Sequence, residues 1–329
     1  MAKCTLRIEL PGDRDFVQPG EELEAIVHVE CDSKIKCNGL TLTRYWKTHG
    51  KGNGDDGDKR AVELFRGEWE AGSYEYPTTI RFPSEPTSYH GKAINIDWYL
   101  KAEADVPYAF DPSAEEMILL VDPRLAQPYV APDAWAPQPV KMECSFGGCM
   151  IPSIVGLCIA VVLVATGYVL WAVLLAVLCA GLLLGSLRAG SALKAVGLVA
   201  LEVHPSSVAP GGSFHVLLEV QPESSLMVEH IDLTVTAQEK ATSGSGTNKT
   251  THTESVFELK EALASNLKLD GTRPFEQEVS FELPVTAPAT FESSDNEITT
   301  TLTLTIQPAG KLALTHTHQL QVIGHSPRA

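Results

Sequence analysis

Basic clusters are missing from this sequence of 329 residues: no run of Lys and Arg is longer than Lys59-Arg60, and 25 basic residues stand against 41 acidic ones. A nucleic-acid surface needs a basic field to neutralise phosphates, so no nucleic-acid partner is expected. The net charge of -16 is shared between the halves, with 16 basic and 25 acidic residues up to residue 144 and 9 and 16 from residue 188 onward, hence -9 and -7. Acidity spread so evenly reads as a solubility device. Catalytic signatures are also lacking: there is no GxSxG, no P-loop, no GxGxxG leading into a helix and no HExxH. The expectation is a protein that is not an enzyme and that carries neither cofactor nor metal. Cysteine is sparse and odd in number, seven in all, with Cys149, Cys158 and Cys179 inside an apolar run. That is not a disulfide framework. The first ten residues, Met1 to Leu10, lack an uninterrupted apolar stretch, so no signal peptide is expected. Both features favour a reducing, cytoplasmic setting.

Charge is missing altogether from one stretch. From Ser145 to Leu187, 43 consecutive residues contain no Asp, Glu, Lys, Arg or His, about twice the ~20 apolar residues that cross a bilayer as a helix. The chain is therefore expected in a membrane, with the lipid bilayer as its first partner. Elsewhere the composition is ordinary for globular protein, and the length suits two domains.

Outside the apolar run, alternation with period two predominates, the pattern of strands with one buried face. Leu23, Ala25, Val27 and Val29 form one such face, as do Phe214, Val216, Leu218 and Val220. Others are Ile231, Leu233, Val235 and Ala237, then Leu302, Leu304 and Ile306. The halves also repeat. Val17-Gln18-Pro19-Gly20 matches Val208-Ala209-Pro210-Gly211 at an offset of 191, and Leu40-Thr41-Leu42-Thr43 falls opposite Ile231-Asp232-Leu233-Thr234 at the same offset. A polar Gly-rich loop follows in each half, at 50–57 and 243–249, and Ile80-Arg81-Phe82-Pro83 corresponds to Phe281-Glu282-Leu283-Pro284. Two tandem copies of one β-sandwich are predicted, over residues 1–122 and 195–324, with a Pro/Ala-rich linker at 123–144.

The turn motifs resemble those of the arrestin superfamily. Val17 to Glu21 is similar to that family's "PGE" turn into a strand. The passage from Phe82 through Pro83, Pro86 and Gly91 to Ile96-Asp97-Trp98-Tyr99-Leu100-Lys101-Ala102 is similar to its Pro-rich crossover and the long strand after it. The likeness covers most of residues 5–122 and, more loosely, 197–323. It implies an all-β fold of two tandem arrestin-like, immunoglobulin-like sandwiches and a role as a scaffold or adaptor. Pro and Gly at these sites are turn formers, which specify a fold and not an activity. Cytosolic arrestins join their sandwiches by a short linker, whereas here the apolar run intervenes, and no basic phosphate-sensing pair is evident.

One helix of 43 residues would measure about 65 Å, twice the hydrocarbon thickness. A transmembrane helical hairpin is predicted instead, 145–166 and 168–187, breaking at Gly167, with Tyr168 and Trp171 at the far interface. Gly181 and Gly185 form a GxxxG face, and Gly156 with Ala160 a second small pair, for close helix approach. Lys141, Arg188 and Lys194 flank the run, and the positive-inside rule then puts both sandwiches in the cytoplasm. The sequence predicts a multi-pass, membrane-anchored, non-enzymatic scaffold that binds protein partners, with a homo-oligomer as a further association. The alternative is an extracytoplasmic tandem Ig-like module for adhesion or envelope structure.

Several features draw plainer readings. The Asp-rich loop Asn53–Asp58 fails the calcium-loop spacing and reads as a solvated hairpin loop. His316 and His318 share one strand face without a third ligand. Cys144 and Cys149 lack a second pair for zinc. The Thr-rich strand Thr299–Thr305 and the acidic loops are the first surfaces to suspect for a partner.

Overall fold

In the computed structural model of the chain, residues 4–12, 14–107, 110–122, 132, 134–144, 150–165 and 168–324 are described. The first sandwich pairs β1 (Cys4–Glu9), β3 (Glu22–Cys31) and β6 (Gly72–Arg81) in one sheet. Its second sheet runs β2 (Phe16–Val17), β9 (Ser113–Leu120), β8 (Ile94–Asp105), β4 (Ile35–Gly50), β5 (Asp56–Trp69), with β7 (Tyr89–His90) added to β8. The second sandwich repeats the plan. One sheet is β10 (Gln138–Pro139), β11 (Leu198–His204), β13 (Ser213–Gln221), β16 (Phe275–Glu282). The other is β12 (Ser207–Val208), β19 (Leu314–Val322), β18 (Asn296–Pro308), β14 (Leu226–Ser243), β15 (Thr250–Leu269), with β17 (Phe291–Glu292) on β18.

The alternating sets read from the sequence are the buried faces: Leu23, Ala25, Val27 and Val29 in the first core, and Phe214, Val216, Leu218, Ile231, Leu233, Leu302 and Leu304 in the second. The repeat extends to individual hydrogen bonds. Pro19-Gly20 and Pro210-Gly211 make the same turn, each glycine at positive φ (76° and 73°), with Gly20 N–H donating to Pro83 O and Gly211 N–H to Pro284 O, both at 3.1 Å. Only glycine adopts that conformation without steric cost, which is why both copies carry it. The short strands β2 and β12 pair in parallel with β9 and β19, against antiparallel pairing elsewhere. Pro86 serves the first core through its carbonyl, which accepts from Trp98 Nε1 at 2.8 Å.

Between the two sandwiches in chain order come α1 (Met150–Ala165) and α2 (Val169–Val196), which pack on each other. Two packed helices are therefore present; the second runs past the expected end at 187, and residues 145–149 and 166–167 of the expected arms 145–166 and 168–187 lie outside the described residues. Among the described residues only α2 is long and apolar enough to cross a membrane; the 16 described residues of α1 span about 24 Å. Helix α2 does not stop at Leu187 because Ala189, Ala192 and Val196 are buried, the last two in the second core, and this packing carries the helix past Arg188 and Lys194. Gly167 lies outside the described residues. Tyr168 and Trp171 are exposed at the turn of the pair. The small pair at the contact is Gly156 with Ala160: a Cβ at Gly156 would lie 2.3 Å from Cys179 Sγ, and Ala160, Ala172 and Cys179 are buried. Gly181 faces open space and Gly185 is half-buried, so the expected GxxxG face is not the helix contact.

Both feet of the helical pair stand in the second sandwich. Before α1, β10 pairs with β11, Glu143 bridges to Thr315, and Met142 is buried in the second core. After α2, Gly197 turns the chain straight into β11, and Lys311 Nζ donates to Ser191 Oγ at 3.2 Å. The end of the linker is thus an edge of this sandwich, and the helices are an insertion into it.

Candidate interdomain interface

The two sandwiches meet at the ends of β4 and β14 farthest from the helices. A small apolar cluster joins them: Ala93, Ile94 and Ile96 from the first, Ala241, Phe291 and Ile298 from the second, with Trp46 against Phe291 edge-on at 5.4 Å. Around it lies a dense polar network. Glu239, on β14 and 1% exposed, accepts from the N–H groups of Lys92 (3.1 Å), Ala93 and Ile94 (3.1 Å) and from Tyr89 Oη–H (2.5 Å). A buried carboxylate is costly unless its lone pairs are filled, and charge-assisted bonds from backbone amides fill these. Gly91 makes the approach possible, because a Cβ there would fall 1.9 Å from Glu239 Oε1. Burial and the facing Glu239 carboxylate push the Tyr89 phenol well above its usual range, so it stays a donor.

The second half of the network is centred on Asp55 and Asn296. Asn296 Nδ2 donates to Thr48 Oγ1 (3.1 Å), Asn53 O (2.8 Å) and Asp55 Oδ2 (2.8 Å). Asp55 Oδ2 also accepts from Ser293 Oγ (2.6 Å) and the Asp295 N–H (2.9 Å). Burial acts to raise the Asp55 carboxyl, but the bonds from Ser293, Asp295 and Asn296 outweigh it and hold the group below the usual carboxylate range. Asn53 reaches Gly244 twice, with Nδ2 donating to the carbonyl (3.0 Å) and Oδ1 accepting from its N–H (3.1 Å). Lys51 pairs with Glu254 at 2.5 Å.

The loop Asn53–Asp58 was expected to be a solvated hairpin loop; Gly54, Asp56 and Asp58 are exposed, while Asn53 and Asp55 are half-buried and bond across to the second sandwich. The Gly-rich segments after β4 and β14 face one another across the interface, and their glycines are needed for close approach: a Cβ on Gly52 would lie 2.7 Å from Asn296 Oδ1. The signal was the duplication itself, since equivalent loops of two copies meet wherever the copies pack about a shared axis.

The remaining candidates take other places. The Thr-rich segment 299–305 is in the middle of its sheet, paired on both sides by β14 and β19, and has no free edge to offer. His316 Nδ1 lies 3.1 Å from Lys141 O, at the rim where the linker crosses β19; burial and then the neighbouring His316 hold the His318 imidazole below its usual range. No cluster of His, Cys, Asp and Glu suited to a metal occurs among the described residues. Cys144 packs against the second core, and Cys149 lies outside the described residues. A groove of about 260 Å³ runs along the junction, lined in part by Thr87, Tyr89, Asp122, Pro210, Val285 and Pro288. Sequence reading did not pair Cys4 with Cys31, which lie 27 positions apart and whose sulfurs approach to 3.0 Å. No protein-family model matches the chain, and no curated protein matches it.

Proposed function

We propose that this chain is a membrane-anchored, non-enzymatic scaffold of arrestin-like architecture, its two sandwiches held as one unit on the cytoplasmic face to bind protein partners. The observation that carries the reading is the helical pair rooted at both feet in the second sandwich. Its outer surface is apolar and exposed: Leu170 is 71% exposed, Trp171 66% and Val161 70%, with Val162, Leu178 and Val177 alike. So large a bare apolar surface is unfavourable in water and at home in lipid. From Val169 to Leu187, α2 spans about 28 Å, one hydrocarbon thickness. Both feet then emerge on one side, beside Lys141, Arg188 and Lys194, which favours the cytoplasm.

The interface supports the scaffold part. Two sandwiches locked by Glu239 and Asn296 present a fixed groove and fixed sheet edges, and strand addition at an edge is a docking mode that needs no catalytic group. A second reading, an extracytoplasmic adhesion or envelope module, is favoured by the adjacent thiols of Cys4 and Cys31, which an oxidising compartment would join.

Protease treatment of sealed vesicles of known orientation separates these. The proposal expects the chain to resist alkaline carbonate extraction and both sandwiches to be cut only from the cytoplasmic side. Cleavage only from the opposite side supports the second reading, and cleavage of one sandwich from each side removes the hairpin. The partner requirement is met by a protein that copurifies in detergent and is lost when Glu239→Ala opens the interface.

A further inference from the structure

We infer that Cys4 and Cys31 form a dithiol site that a low-molecular-weight disulfide converts to an intramolecular bridge, stapling the edge strand β1 to β3. The two residues are direct partners in the antiparallel register of β1 and β3. Directly opposed residues of such a pair have Cα atoms about 4.5–5.5 Å apart, within the span of a disulfide. Their sulfurs already touch at 3.0 Å, with Cys31 Sγ–H donating to Cys4 Sγ. No backbone movement is needed to bring them together.

The surroundings assign the roles. Cys31 is buried at 4% exposure, while Cys4 is half-exposed on an edge strand, so the external reagent meets Cys4 first. The Cys4 thiolate attacks one sulfur of the reagent RSSR, forming a mixed disulfide and releasing one RSH. The Cys31 thiolate then attacks the Cys4 sulfur, closing the bridge and releasing the second RSH. In sum, two thiols are oxidised, one RSSR is reduced to two RSH, and the two thiol protons end on the leaving groups. Burial, followed by the bond with Cys31, pushes the Cys4 thiol up to about 12. The exchange therefore runs through a small thiolate fraction and is best assayed near pH 9.

The second sandwich has no such pair. Matching the registers of β1–β3 and β11–β13 through Leu6/Val29 and Val199/Val220 puts Gly197 and Pro222 where Cys4 and Cys31 stand. There α2 enters and ties the strand down. In the first sandwich the same position is the free tip, at the far end of β4 from the interface, and β1 pairs with β3 alone among its sheet neighbours. The thiol pair is a covalent means by which this sandwich can fasten its edge strand. The inference is independent of which side of the membrane the sandwiches face.

The test uses the full chain in detergent with oxidised glutathione at about pH 9, followed by alkylation and peptide mapping without reduction. Expected are a Cys4–Cys31 cross-linked peptide lacking two hydrogens, its loss on adding dithiothreitol, and slowing of amide exchange in β1 by at least about tenfold. The variant Cys4→Ser should give no intramolecular bridge. The proposal is overturned if both residues remain alkylatable, if glutathione stays on Cys4 with Cys31 free, or if Cys31 bridges to Cys37 instead.

Discussion

The two sandwiches share a plan and differ in what surrounds it. Matching the registers of the two copies makes Trp98 equivalent to Thr300, Arg44 to Val235, Phe82 to Leu283 and Thr48 to Glu239. The first core is built around aromatic and cationic groups. Arg44 is 3% exposed, lies 5.9 Å and 5.8 Å from the rings of Phe82 and Trp98, and pairs with Asp58 at 2.6 Å. The second core carries Val235, Leu283 and Thr300 at the matching places, and the Thr300 Oγ1 is buried with no hydrogen-bond partner among the described residues. At the interface the same pseudo-symmetry is broken productively. Thr48 and Glu239 are equivalent buried groups, but the first accepts from an asparagine and the second from three backbone amides. A duplication supplies two surfaces that fit each other, and divergence at equivalent positions makes the fit specific to unlike partners.

The largest expected break in this comparison is Trp98→Ala, which removes the centre of the first core. It should destabilise that sandwich by about 3–5 kcal/mol, read by hydrogen exchange as a loss of protection confined to residues of the first sandwich. Equal loss in both would mean the two fold as one unit. The Cys4–Cys31 bridge closes a loop whose entropy is worth about 3–4 kcal/mol, so oxidation should raise the unfolding midpoint of the first sandwich and leave the second unchanged. Glu239→Ala leaves three amides without their acceptor and should cost about 2–3 kcal/mol. Its signature is increased proteolysis at the loops of the interface while both cores stay protected.

Gly20→Ala and Gly211→Ala test the repeat directly. Each glycine has positive φ in the same turn, and each substitution should cost about 1–2 kcal/mol, measured by denaturant titration of the full chain in detergent. Costs that differ by more than that whole range would mean the turns are not equivalent. Thr300→Val should stabilise the second sandwich by about 1 kcal/mol, since an isosteric methyl replaces a buried hydroxyl with no partner. The smallest effect is in acid. Because Asp55 is held below its unfolded range, its contribution is complete above about pH 5 and is lost as pH falls through its lowered value. Asp55→Asn should therefore flatten the acid limb of interface stability, read by the same proteolysis between pH 6 and pH 3.

What was legible in the sequence follows the range of the interactions involved. Strands such as Leu23 to Val29 and Leu302 to Ile306 were readable because alternation is local and one face must leave water. Pro19-Gly20 and Pro210-Gly211 were readable because a turn is made by the residues that form it. A helical segment was legible in the absence of charge, although its end was not: α2 runs on to Val196 because Ala192 and Val196 find a core made by strands distant in sequence.

The interface was hidden for a similar reason. Asn53 and Asp55 sit in a polar loop and Asn296 is the polar first residue of β18, which is the composition of solvent-facing chain, and nothing near them in sequence marks them as partners. Glu239 falls in phase with the buried face of Ile231, Leu233, Val235 and Ala237, but a carboxylate there reads as the polar end of the strand, and its burial depends on Gly91 and three amides about 145 residues away. By itself the sequence determined two similar sandwiches and one uncharged run, since periodicity, turn chemistry and hydropathy are properties of neighbours along the chain. Tertiary structure alone decided that the helices belong to the second sandwich, that the polar loops clasp each other, and that Cys4 meets Cys31, because each depends on contacts between residues that only folding brings together.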